Sequence, residues 1–443
     1  MKNSYKSVFV AVLLATIGLS ALSAKGGEAT QYDDMSPRSA SKILPPDLLK
    51  GELWTVADEV IPVEGLFQFQ VQSAWGEFPV WGEAMLRLRL REFRAIAELE
   101  TISSTEAALK GAGKSAGKSF VRLGNAIVHP KRTAKALPQG TRRLFGKIKR
   151  YSKKATEAVA KSSEEKPNDS QNQTGESSAA AQEAAVWLAR KYGGVGSKYR
   201  DRARDLGVDP YTSNEVLAAE LERVSRAEAA GSISSKFFLP VIGQEVGLMA
   251  DAANIAYVRE WREIFAHNDE LMRQMGVSQD QILQFEKNEN FTPMTQTVIV
   301  AMLDAMQGVE GRDLVIQQAA MLQNESEALF FLESVLLAEW YHREQNELKN
   351  FIADTLIPVA VNKGEDLVAF TAADFFYWTP ETATVARDFT ETYAGYSGGR
   401  ELIMADYISS RAKKNINALG WQVMSSLRQQ YDVEIPWGAQ DHD

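Results

Sequence analysis

Four groups of residues have types and spacings that could do chemistry. Gly395-Tyr396-Ser397-Gly398-Gly399 matches Gly-x-Ser-x-Gly, the turn that lifts a serine hydroxyl out of a sheet for nucleophilic attack. That turn needs a buried strand before it and a helix after it. A helix from Arg400 is expected, but positions 386–394 hold Arg387, Asp388, Thr390, Glu391 and Thr392 and resemble a helix end. The base would have to be His442, the only later histidine and next to last in the chain. Ser397 is thus the nucleophile of an alternative reading, a secreted or periplasmic serine hydrolase. A glycine-rich turn between two helices is the simpler expectation, with no catalytic residue.

Glu339 and His342 stand at Glu-x-x-His spacing, which puts carboxylate and imidazole on one helical face. Di-iron bundles use two such motifs plus two further glutamates. Here there is one copy, with Glu333 and Glu344 near it and His267 four residues after Glu263. Four histidines and no cysteine make ligands scarce, so Glu339 and His342 are weak metal candidates and no cofactor is expected. Gly113-Lys114-Ser115 and Gly117-Lys118-Ser119 resemble the end of a phosphate loop, but Ala108 and Ala112 replace the required first glycine. No nucleotide partner is expected. The stretch 205–214 gathers Asp205, Gly207 and Asp209 without the ligand order of a calcium loop. A helix stop followed by an Asn or Ser cap accounts for it.

Charge is distributed more tellingly than any motif. Positions 110–161 hold fifteen Lys and Arg against one acid, Glu157, a segment of +14. The chain total is −9, so the remainder carries −23. Such segregation predicts attraction to an anionic surface or to the acidic part of the same molecule. Lys114, Lys118 and Arg122 continue a stripe from Lys110 every four residues. In 141–161, Leu144, Ile148, Tyr151, Ala155 and Ala158 follow a 4-3-4-3 spacing, a coiled-coil-like seam flanked by Arg142, Arg143, Lys147 and Arg150. A basic amphipathic helix of this kind adsorbs to anionic lipid or packs on an acidic helical domain.

Export sets the compartment. Lys2 and Lys6 precede an uncharged run from Val8 to Leu19, then Ser20, Ala21, Ser23 and Ala24, the order of a secretory signal. The run is short of the roughly 20 residues a spanning helix needs. An exported location argues against nucleic acid as partner. No cysteine is present, so disulfides and lipidation at cysteine are excluded and the core must carry stability.

The elements that would position these groups follow from periodicity. The expected fold class is mainly α with small β elements (α+β). It comprises an N-terminal β-hairpin with basic helices, a central helical bundle or array, and a C-terminal mixed region. The expected divisions are a signal at 1–24, a flexible spacer at 25–50 and a β-hairpin with basic helices at 51–161. A disordered linker at 162–183, a helical domain at 184–352 and a mixed region at 353–443 follow. Phe67, Phe69 and Val71 alternate with glutamines as a half-buried strand, and Pro79 places the next strand, 75–81, at an edge. Leu86, Leu90, Phe93 and Ala97 predict a helix, supported by Glu83 four residues before Arg87. Further helices are expected over 214–230, 244–266, 278–287, 293–306, 313–322 and 325–350. Asn214, Ser278, Thr292, Thr379 and Ser409 are expected N-caps. The apolar runs 356–361 and 367–370 predict a hairpin. The functional expectation is an exported, non-enzymatic, envelope-associated protein, bound peripherally through its basic segment and presenting a helical surface to a protein partner.

Overall fold

The computed structural model describes residues 31–109, 174–231, 248–352 and 357–428. The expected signal at 1–24, the whole basic segment 110–161 and His442 lie outside the described residues. Among the described residues the fold is mainly α with small β-sheets, as the periodicities predict, and no helix is long and apolar enough to cross a membrane.

Residues 31–50 of the expected spacer are part of the fold. They form β1 (Arg38–Ser39), a short 3-10 turn and α1 (Pro46–Leu49), because Ala40, Leu44 and Leu48 are buried. With β2 (Trp54–Val56), β3 (Glu59–Val63), β4 (Leu66–Ser73) and β5 (Gly76–Trp81), β1 builds a five-stranded antiparallel sheet, larger than the expected hairpin. Phe67, Phe69 and Val71 on β4 all point into the core. Glu64 and Gly65, at φ 47° and 90°, turn β3 into β4 in the left-handed pattern that matches strand twist. Pro79 of β5 pairs with Gln70 of β4, the one described strand partner of β5, which is the edge position expected of it.

The ambiguous Leu-Arg repeat resolves as helix α2 (Glu83–Leu109), with Arg87 on Glu83 at 2.5 Å. Residues 174–183 of the expected linker are also helical, opening α3 (Thr174–Tyr192). Then come α4 (Ser197–Asp205), α5 (Glu215–Ala229) and α6 (Leu248–Val258). Next are α7 (Trp261–Gln274), α8 (Gln279–Glu286), α9 (Pro293–Ala305), α10 (Arg312–Ala320) and α11 (Glu325–Glu344). Asn214, Ser278 and Thr292 accept backbone N–H groups at the starts of α5, α8 and α9, as their residue types predict. The helix expected over 244–266 is interrupted instead. Glu260 is extended and forms a capping box with Glu263, so α7 starts afresh at Trp261.

The helix expected to reach residue 350 stops at Glu344, because His342 Nδ1 accepts the Leu348 N–H at 2.9 Å and turns the chain into a strand. That strand, β6 (Leu348–Phe351), opens a second sheet with β7 (Val359–Asn362) and β8 (Leu367–Thr371), the predicted hairpin. After the short β9 (Phe375–Phe376) come α12 (Pro380–Thr392), β10 (Arg400–Met404), β11 (Tyr407–Ile408), α13 (Ser410–Ala418) and β12 (Gln422–Met424). Sheet order is β12-β10-β8-β7-β6, with β8, β10 and β12 parallel and α12 and α13 as crossovers.

Two cores result, and they cut across the expected divisions. One joins the N-terminal sheet and α2 to α3–α7; the other joins α8–α11 to the second sheet. Helix α11 stands between them: residues 327–341 are all buried, with Leu329 in the first core and Phe331 in the second.

Charges on α11 are met from both sides. Arg89 of α2 bridges Glu325 (2.5 Å) and Glu92 (2.7 Å), and Glu92 also accepts from Thr212 and Asn214. Beside them Asp209 accepts the Tyr211 N–H at 2.7 Å and the Thr292 hydroxyl, tying the 206–214 loop to the start of α9. Two turns further along α11, Arg428 meets Asp406 at 2.7 Å, Glu333 at 2.9 Å and Asp374 at 3.8 Å. Asp374 in turn accepts the backbone N–H of Phe67 (2.9 Å) and of Glu83 (3.2 Å), capping α2 from 291 residues away.

Removing one partner of a buried ion pair costs about 3–5 kcal/mol, since the other charge stays buried and unpaired. Arg428→Met is therefore expected to lower unfolding free energy by roughly that amount at pH 7, measured by urea denaturation. Burial already raises the pKa of Asp374, Glu333 and Asp406, so the deficit shrinks as pH falls and those carboxyls take up protons. Asp209 makes a second expectation. Burial pushes its carboxyl up to about 7 despite the Thr292 and Tyr211 bonds. The folded state then binds the extra proton, so stability from this group is lost as pH rises from about 4 towards 7, by about 1.4 kcal/mol per pH unit at most. Asp209→Asn should gain on the wild type across that window and run parallel to it above.

Candidate interaction groove

Each candidate from the sequence has a definite place. Ser397 is exposed on the turn between α12 and β10, so the order is helix, turn, strand, the reverse of a nucleophile elbow. The helix expected from Arg400 is the strand β10. Of the two histidines among the described residues, His342 accepts the Leu348 N–H and His267 lies on α7; neither bonds Ser397. The glycines have a packing reason. A Cβ at Gly398 or Gly399 would collide with the Glu365 carbonyl or the Asp366 carboxylate of the β7–β8 turn, and the Gly399 N–H donates to Asp366 at 2.8 Å.

The metal candidates are likewise engaged. Glu339 pairs with Arg343 at 3.1 Å, Glu333 with Arg428, and burial lowers the pKa of His342, keeping its ring a neutral acceptor. Glu263 spends its carboxylate on the Glu260 N–H. Among the described residues no three His, Cys, Asp or Glu side chains gather as metal ligands would. In the 205–214 stretch, Asn214 caps α5 as expected; the docking of Asp209 on Thr292, 83 residues away, has no local signal. Lys114, Lys118, Arg122, Arg142, Arg143, Lys147 and Arg150 lie outside the described residues.

The carboxyl ends of parallel strands are where open α/β sheets take ligands. Here those ends carry Asp374, Asp406 and Arg428, which bond to one another and to Glu333, so the protein's own ions occupy the place.

An open groove exists elsewhere, between α3, α7 and α8, with a volume of about 520 Å³. Each helix gives it one stripe. Leu188 follows Ala184 by one turn on α3, and Trp261, Phe265 and Asp269 recur every four residues on α7. Leu283 and Glu286 are one turn apart on α8. The walls are apolar and aromatic, with the Trp261 and Phe265 rings edge to face at 6.4 Å.

Two carboxyls meet in this groove. Asp269 Oδ2 takes Arg273 at 2.7 Å, while its Oδ1 is buried and, apart from a proton shared with Glu286, meets no donor among the described residues. Glu286 is 7% exposed. Burial and the Asp269 carboxylate push its carboxyl up, to about 9. Two adjacent carboxyls in a low dielectric cannot both ionise, so the pair holds one proton at neutral pH. Arg262 lies over the Trp261 ring at 5.0 Å. Apolar walls around two carboxyls suit recognition of a small polar group. Sequence reasoning found α8 and only the first turns of α7, and neither α3 nor the groove: residues 269 and 286 signal nothing until α7 and α8 pack.

A serine with no base beside it does not react at a useful rate. A serine-directed fluorophosphonate is therefore expected to leave the folded protein unlabelled, and Ser397→Ala to behave as wild type. Labelling that Ser397→Ala removes would restore the hydrolase. Compared with protein-family models, with curated proteins and with solved structures, the chain matches none.

Proposed function

We propose that the chain is an exported, non-enzymatic envelope-associated protein, held peripherally on an anionic surface by its basic segment and presenting the α3–α7–α8 groove to a partner. The observation that carries the reading is charge segregation: +14 within positions 110–161 of a chain whose total is −9. The residue order at 1–24, with its charged start, apolar run and small residues, supports export. The helix-turn-strand setting of Ser397 lends no support to the hydrolase alternative.

Each Lys or Arg near an anionic bilayer contributes about 1 kcal/mol at most, screened over roughly 8 Å at physiological salt. Leu144, Phe145, Ile148 and Tyr151 would add a part that salt leaves unchanged. The full chain is expected to sediment with anionic vesicles and not with neutral ones, and to do so less as salt rises. Reversing Arg142, Arg143, Lys147 and Arg150 together to Glu should abolish sedimentation. Equal binding to neutral and anionic vesicles would overturn the electrostatic reading. Absence of binding in both forms, with the reversal lowering the melting temperature, would instead place the segment on the protein's own acidic helical region.

A further inference from the structure

We propose that the groove between α3, α7 and α8 binds a small molecule carrying a primary ammonium on an apolar stem. The inference rests on the reading of this groove as a recognition surface, and names what it recognises. Its volume of about 520 Å³ falls in the range of small-molecule sites, which are lined by apolar walls with a few polar groups that fix orientation. Leu188, Phe265 and Leu283 supply the walls; Asp269 and Glu286 are the polar groups.

The acid pair decides the sign of the ligand. A neutral hydroxyl can only hydrogen-bond to the carboxyls and brings no charge to them, and an anion would be repelled by the pair. An ammonium offers three N–H donors and a positive charge to Asp269 Oδ1, which apart from the proton shared with Glu286 has no donor among the described residues, and to Glu286, which is more than nine-tenths buried. Among the described residues Asp269 and Arg273 are the charged side chains that act on the Glu286 carboxyl, Asp269 raising its pKa and Arg273 lowering it. A ligand cation takes over the task now done by the shared proton. Binding at neutral pH therefore expels that proton from Glu286 to the buffer, and the site exchanges one positive charge for another.

The surrounding charges leave room for this. Arg273 already holds Asp269 Oδ2 and also reaches Gln279 at 3.2 Å. Arg262 lies over Trp261. Both guanidinium side chains are on exposed residues, where solvent screens them, and the α3 face of the groove is formed by Ala184, Ala185 and Leu188, with no charge.

The test is calorimetry of the full chain with hexylamine, hexanol and hexanoate, each at pH 7 in two buffers of different ionisation enthalpy. Hexylammonium is expected to bind at least ten-fold tighter than hexanol, with hexanoate weaker still, and to release close to one proton. Raising the pH from 7 to 8 should tighten hexylammonium several-fold, because the shared proton is then easier to displace. Glu286→Gln imitates the protonated carboxyl, so the fold should survive, checked by circular dichroism and melting temperature. That variant should lose the proton release and bind hexylammonium at least ten-fold more weakly. Hexanol binding as tightly as hexylammonium, binding of hexylammonium without proton release, or no binding by any of the three would each overturn the proposal. Vesicle sedimentation does not depend on Glu286, so failure here is distinguishable from failure of envelope association.

Discussion

A helix buried on every face has nowhere of its own to put a charge. Residues 327–341 of α11 are all out of water, yet the helix carries Glu325, Glu327, Glu333 and Glu339. Apolar burial worth about 1.5–3 kcal/mol for each large side chain drives it inward, and each uncompensated carboxylate would cancel one or two such gains. The structure meets this by bringing cations to the helix. Arg89 comes from α2 for Glu325, and Arg428 comes from beyond β12 for Glu333. Arg343 serves Glu339 from one turn away, and Glu327 turns back to accept the Gln323 N–H at the helix start. Because the first two partners lie hundreds of residues from each other, satisfying α11 also fastens the N-terminal sheet to the C-terminal one.

The same requirement explains why the parallel strands end as they do. Asp374 and Asp406 leave the carboxyl ends of β8 and β10 and would repel Glu333 if Arg428 were not among them. Asp374 is bound further by the N–H groups of Phe67 and Glu83, so the α2 helix begins where the second sheet ends. A crevice that elsewhere serves ligands is thus committed to holding two cores together. The α3–α7–α8 groove solves its buried carboxyls differently. Its Glu286 has another acid for a neighbour, so a proton stands where the core would have placed a guanidinium.

What the sequence discloses is what depends on neighbours three or four positions away. Asn214, Ser278, Thr292, Thr379 and Ser409 each cap the helix their position implies. The Glu83–Arg87 pair and the alternation of Phe67, Phe69 and Val71 are also where periodicity puts them. What stays hidden depends on distant partners. Residues 400–404 suit helix or strand alone; pairing with β8, from Arg400 on Leu367 to Met404 on Thr371, makes them a strand. Residues 31–50 look like spacer by composition, yet Asp33 accepts the Trp378 N–H at 2.7 Å and fastens them down. Of the candidate groove, only α8 and the start of α7 were legible, while α3 begins inside the stretch that composition marks as linker. Its carboxyl pair, 17 positions apart on separate helices, appears when those helices pack.

The position of the basic segment has its own logic. Leu99 of α2 and Leu188 of α3 are buried in the same core, although 64 residues separate Leu109 from Thr174. The entropy of closing a connection grows only with the logarithm of its length, about 0.6 kcal/mol for each doubling. A long insertion at this point therefore costs the fold little. Charge is another matter: fifteen cations within the cores would each have needed a buried carboxylate, as Arg89 and Arg428 do. In sequence the basic stretch falls between two helices of one core, so its fifteen cations are gathered in a single connection. Among the described residues most buried carboxylates are met by guanidinium groups, Glu333 by Arg428 and Glu228 by Arg202, and the groove pair by a shared proton.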